Sequence, residues 1–164
     1  MKNTSAFVND YTVSADGKEI TLNIGVASSA GYGELLKKCN LQRGELFLLA
    51  GGPPCQGFSV QRRGSDTDER NELVLKYGKL IDELYPMYFV MENVTGIAGK
   101  RGKTILQQLI EDVEKIGYKV HVDLLDAQDY GVPQRRKRYI IVGERNDLGE
   151  HYLWLLKLRH RRYM

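Results

Sequence analysis

The chain has 164 residues, 42% apolar and 27% charged, one domain's worth of sequence with enough apolar content to bury a core. No apolar run approaches the roughly 20 residues that cross a bilayer, and the opening MKNTSAFVND lacks the apolar centre of a secretion signal. The net charge of +3 is uneven: residues 151–164 hold four Lys/Arg and no Asp/Glu, so the rest of the chain carries −1 and overall charge is no argument for nucleic acid. Two cysteines, Cys39 and Cys55, and three scattered histidines give neither a disulfide framework nor metal-ligand spacing, so no metal is expected and a reducing, cytoplasmic setting fits.

From about residue 20 the pattern alternates between strand and helix. ITLNIGV (Ile20 to Val26) reads as a strand and GELLKKCN (Gly33 to Asn40) as a short helix. ELFLLA (Glu45 to Ala50) is an apolar strand that opens into GGPPCQGFS. The next segment, NELVLKYGKLIDELY, places Leu73, Val74, Tyr77, Leu80, Ile81 and Leu84 on one helical stripe. YFVME (Tyr88 to Glu92) is a buried strand, and KTILQQLIEDVEKIG a second helix ending at Gly117 as a C-cap. YKVHVDLLD and RYIIVG (Arg138 to Gly143) are the last strands, joined by a loop too short for a crossover helix. The order predicts a mostly parallel sheet with an antiparallel last strand.

Ligand crevices in such sheets lie outside the carboxyl ends of the strands. Cys55 follows one strand end and Glu92 sits at the next, so both face one crevice although 37 residues separate them. The cationic run YGVPQRRKR (Tyr130 to Arg138) leads into the last strand. A thiol, a carboxyl group and a cluster of cations make a set for covalent catalysis, in which the cations lower the thiol's pKa. Attack on a pyrimidine ring is one reaction that needs all three without a metal. Thiolate addition at C6 of cytosine, with N3 protonated, makes C5 nucleophilic.

The motifs GGPPCQGFS, DERNEL, MENV and DYGVPQRRKR, in that order, resemble those of the cytosine-5 DNA methyltransferases over roughly Gly33 to Gly143. The resemblance implies an α/β, Rossmann-like methyltransferase core with helices on both faces, S-adenosylmethionine as cofactor and DNA as substrate. It implies that Cys55 is the nucleophile, that Glu92 protonates N3, that Arg138 contacts the base oxygen and that Arg136 supports the site. Pro54 and Leu73 would border the cofactor. Gln56, Ser59, Gln61, Arg62, Arg63 and Gln134 would belong to the parts that meet DNA, and the target base would be flipped into the pocket.

Two departures from the family pattern shape the remaining expectations. The Asp-x-Phe-x-Gly-x-Gly cofactor turn is absent; SSAGYGELL offers only Gly31 and Gly33. Val26 stands where the family often has Asp. The chain is therefore expected to be an incomplete core that lacks its first strand: a partial catalytic domain over 1–150, irregular over 1–32, with a basic amphipathic tail at 151–164. No target-recognition domain is expected in this stretch, so the expectation is either a fragment or remnant without activity of its own, or one subunit of a split enzyme whose second chain would supply the missing parts. The alternatives are a non-catalytic DNA-binding or regulatory module of the same fold and an RNA cytosine-5 methyltransferase.

Overall fold

The computed structural model describes residues 6–13, 19–26, 36–37, 40–54, 72–100 and 102–149. Among the described residues six strands form one sheet: β1 (Ala6–Val13), β2 (Glu19–Val26), β3 (Leu48–Gly51), β4 (Tyr88–Val94), β5 (Tyr118–Asp126) and β6 (Lys137–Arg145). Their spatial order is β1-β2-β3-β4-β6-β5. Strands β2, β3 and β4 run parallel, whereas β6 is antiparallel to both β4 and β5. The antiparallel last strand thus stands as the short β5–β6 connection requires, and it enters between β4 and β5.

A strand does stand beside β3. Glu19–Thr21 of β2 pairs with Leu48–Ala50, and β1 returns antiparallel to β2 with its register shifting between Val8 and Asp10. Strand β1 falls within the stretch expected to be irregular, because AFVNDYTV does not alternate cleanly between apolar and polar residues. Strand β3 is shorter than the expected Glu45 to Ala50. The Glu45 amide turns back to the Gln42 carbonyl, so regular pairing starts at Leu48.

Helix α1 (Glu72–Leu84) buries the predicted stripe of Leu73, Val74, Tyr77, Leu80, Ile81 and Leu84. Helix α2 (Lys103–Ile116) buries Leu106, Leu109 and Val113. Gly117 ends it in the left-handed conformation, φ 109°, where a side chain would be strained. Of the expected helix at Gly33 to Asn40, Leu36 and Lys37 are described and helical. Both long helices share one core with Leu49, Phe89, Met91 and Ile141, which fixes the helix-covered face of the sheet.

Strand β4 alternates accordingly, with Phe89, Met91 and Asn93 buried and Glu92 between them on the opposite face. Close packing leaves no room for a methyl group at Gly143, where an added Cβ would lie 1.8 Å from Cε1 of Phe89. Phe89 is fully buried and has nowhere to move. Gly143→Ala is expected to lower unfolding free energy by about 2–3 kcal/mol through overpacking, read as a lower denaturant midpoint at constant m. An unchanged midpoint would refute this packing. Among the described residues no helix is long and apolar enough to cross a membrane.

Candidate active site

The site is built at the carboxyl ends of β3 and β4. After β3 the chain runs through Gly52, Pro53 and Pro54 toward Cys55. Two anchors set its course. The Tyr77 hydroxyl, buried beneath the sheet, reaches the carbonyls of Leu49 (3.2 Å) and Val90 (3.0 Å), one on each strand. Burial pushes this hydroxyl far above the usual tyrosine range, so it stays protonated as a donor. Its ring lies so close to Gly51 that a Cβ there would sit 2.7 Å from Cε2. The second anchor is Asn93, 2% exposed, whose Nδ2 donates to the Pro53 carbonyl at 3.0 Å. Its Oδ1 accepts from the Val94 amide at 2.9 Å, which orients the amide group.

Glu92 points to the other face. Its Oε1 lies 2.7 Å from Nε of Arg138, with the arginine 25% and the glutamate 44% exposed. The Nε–H does not aim at the oxygen, so this is an ionic contact rather than an aligned hydrogen bond. Register explains the meeting. Arg138 is directly opposite Val94 on β6, and Glu92 is two residues back on the same face. The backbone of the Gly-Gly-Pro-Pro loop passes nearby, since a Cβ on Gly52 would lie 3.5 Å from Oε2 of Glu92. The loop, the carboxylate and the guanidinium therefore come together.

The cationic run lines a cavity that meets this site at Arg138. Thr95, Asp126, Gln128, Gln134, Arg135, Arg136, Lys137 and Arg138 line a cavity of about 500 Å³. This brings Gln134, Arg136 and Arg138 into one place with Arg135 and Lys137 of the same cationic run, and adds Thr95, Asp126 and Gln128, which no sequence motif marked for the site. Pro54 is half-buried at the end of the described loop, whereas Leu73 is 2% exposed at the start of α1. Cys39, Cys55, Gln56, Ser59, Gln61, Arg62, Arg63, Gly31, Gly33 and the tail 151–164 lie outside the described residues. Among the described residues no cluster of His, Cys, Asp and Glu could hold a metal ion.

Sheet order and helix packing define an α/β, Rossmann-like fold of the kind found in methyltransferases. A prophage-encoded E. coli chain that is named, not shown, as a DNA modification methyltransferase superposes with a TM-score of 0.59 at 32% identity, over 74% of this chain and 32% of that one. DNMT2 of Spodoptera frugiperda superposes at 0.52 with 26% identity, over 73% and 34%. Residues 27–163 match the family described as C-5 cytosine-specific DNA methylase, and the chain belongs to that family. It is similar to the type II methyltransferase M.AgeI of Thalassovita gelatinovora, 36% identical over 82% of this chain and 28% of that protein. It is also similar to M.XorII of Xanthomonas oryzae pv. oryzae, 40% identical over 70% and 28%. The chain thus spans under a third of the length of these relatives.

Proposed function

We propose that this chain is the central catalytic portion of a DNA (cytosine-5-)-methyltransferase that works through a covalent adduct between Cys55 and the target cytosine. The observation that carries this reading is the Glu92–Arg138 pair at 2.7 Å, set beside a loop that Asn93 anchors two residues before Cys55. A cytosine turned out of the duplex would meet thiol, acid and guanidinium in one crevice.

In this mechanism the Cys55 thiolate forms a bond to C6 while the C5–C6 π electrons move toward C5. Glu92, once it has taken a proton from solvent, gives that proton to N3, which keeps negative charge from accumulating on the ring, and takes it back when the adduct collapses. Arg138 holds the base oxygen, and its charge keeps Glu92 oriented between proton transfers. S-adenosylmethionine, when bound, supplies the electrophilic methyl group that C5 accepts. The C5 proton then leaves to solvent, and the thiolate departs as the double bond re-forms. Pro54 would border the bound cofactor as an apolar wall. Leu73 would border it from the first turn of α1, chiefly by shaping the packing there, since it is buried.

The test is capture on duplex DNA carrying 5-fluorocytosine in the presence of S-adenosylmethionine. Fluorine at C5 cannot leave as a proton, so the thioether persists. A denaturation-stable protein–DNA complex is expected, lost in Cys55→Ala and unaffected in Cys39→Ala. Absence of the complex with protein that still folds cooperatively would overturn the reading.

A further inference from the structure

We infer that Asp126 is a positioning residue for the arginines of the site: its carboxylate fixes the start of β6, and so determines where Arg136 and Arg138 stand. Asp126 ends β5 and is 6% exposed, although a run of exposed cations surrounds it. Oδ1 accepts from the Arg136 amide at 3.0 Å, ten residues along the chain, and from the Gln128 amide at 3.4 Å. Oδ2 accepts from Nε2 of Gln128 at 3.1 Å. The next amide, that of Ala127, donates to the Arg136 carbonyl at 3.0 Å, so both backbone groups of Arg136 are held from the same corner.

The consequence lies in register. The segment from Gln134 to Arg136 precedes the ladder of β6, and its described backbone bonds run to Val132, Ala127 and the Asp126 side chain. Arg138 is only two residues further on. Its guanidinium reaches Glu92 because Arg138 sits opposite Val94. Freeing the Arg136 amide leaves a polar group unpaired at the edge of the cavity and loosens the lead-in to that register. Asp126 touches no reacting atom in the proposed mechanism and acts only through the arginines.

The inference rests on the proposed function for its kinetic readout but not for its structural one. Asp126→Asn keeps an acceptor oxygen for the Arg136 amide, whereas Asp126→Ala removes it. With thermal unfolding as a check on folding, two quantities are compared in both variants. The first is the side-chain Nε–H signal of Arg138 by NMR, assigned by its loss in Arg138→Lys. The second is the rate of adduct formation on saturating 5-fluorocytosine DNA. Asp126→Ala is expected to broaden or shift the Arg138 signal and slow adduct formation on the order of 10²-fold, the cost of misplacing a group by about an ångström. Asp126→Asn is expected to restore both.

An Arg138 signal unchanged in Asp126→Ala would overturn the inference. So would an Asp126→Asn protein as impaired as Asp126→Ala, since charge and not the acceptor would then be at work. If the unmodified protein forms no adduct, the proposed function fails, and the NMR comparison alone still decides the role of Asp126.

Discussion

Glu92→Gln is expected to slow methyl transfer by roughly 10²–10⁴-fold, the range attributed to a positioned acid or base in the transition state. Glutamine matches the shape of glutamate and keeps an oxygen for Arg138, but it has no acidic proton to give N3. The thiolate would then add to a ring that must carry negative charge unaided. Stability should hardly change. The Arg138–Glu92 pair is partly exposed, and pairs of that kind contribute less than about 1 kcal/mol. The measurement is single-turnover transfer of labelled methyl to a cytosine-containing duplex, with unfolding midpoints recorded on the same proteins. DNA affinity should change far less than the rate, because the lost interaction belongs to the transition state. A Glu92→Gln protein that turns over at the unmodified rate would remove Glu92 from the proton transfer.

Much of this architecture was legible because it is written in short-range periodicity. The stripes of α1 and α2, the stop at Gly117 and the alternation in YKVHVDLLD each depend on neighbours within a few turns. The short β5–β6 connection announced an antiparallel pair. What it could not announce is that β6 enters between β4 and β5, a choice made by packing across the whole sheet. Strand β1 escaped for the opposite reason, since its residues have weak alternation and gain their place from pairing with β2.

The site follows the same division. Glu92 was legible from its position at a strand end, and Arg138 from the cationic run and the family motif around it. Their meeting depends on the register of Val94 with Arg138, which no local pattern encodes. Asn93 and Asp126 have roles defined by partners 40 and 10 residues away. The nearest signal for Asp126 was its place at a strand end before a short turn, where an Asp side chain commonly caps backbone amides. In Asn93 the clue was a polar residue at a position whose alternation required burial.

The largest loss of stability is expected far from the Glu92–Arg138 crevice, in Arg145→Ala. Arg145 ends β6, four positions beyond Ile141, near where β4 begins rather than near Glu92. It is 8% exposed and ties three segments together. Nη1 donates to the carbonyls of Gly44 (2.8 Å) and Tyr85 (3.1 Å), while Nε and Nη2 grip both oxygens of Asp147 at 2.8 and 2.9 Å. The guanidinium also stands 4.6 Å from the centroid of the Tyr85 ring, which Arg43 approaches at 4.5 Å. Tyr85 needs this hold because its φ of +50° is unfavourable for a residue with a side chain.

Truncation leaves two carbonyls without a charged donor, each such bond worth about 1.5–3 kcal/mol, so Arg145→Ala should cost about 3–5 kcal/mol. Asp147→Asn should cost less than about 1 kcal/mol, since that carboxylate is 56% exposed. The hydrogen bond from Arg145 lowers the Asp147 pKa. A depressed carboxylate stabilises the fold above its unfolded pKa near ~3.9 and loses that contribution as pH falls through the lower folded value. The gap between the unmodified protein and Asp147→Asn should therefore close below about pH 4, while the Arg145→Ala deficit from Gly44 and Tyr85 persists. Urea midpoints across pH separate the two. If Arg145→Ala lay within about 1 kcal/mol of the unmodified protein at neutral pH, the carbonyl bonds would not carry the stability assigned to them.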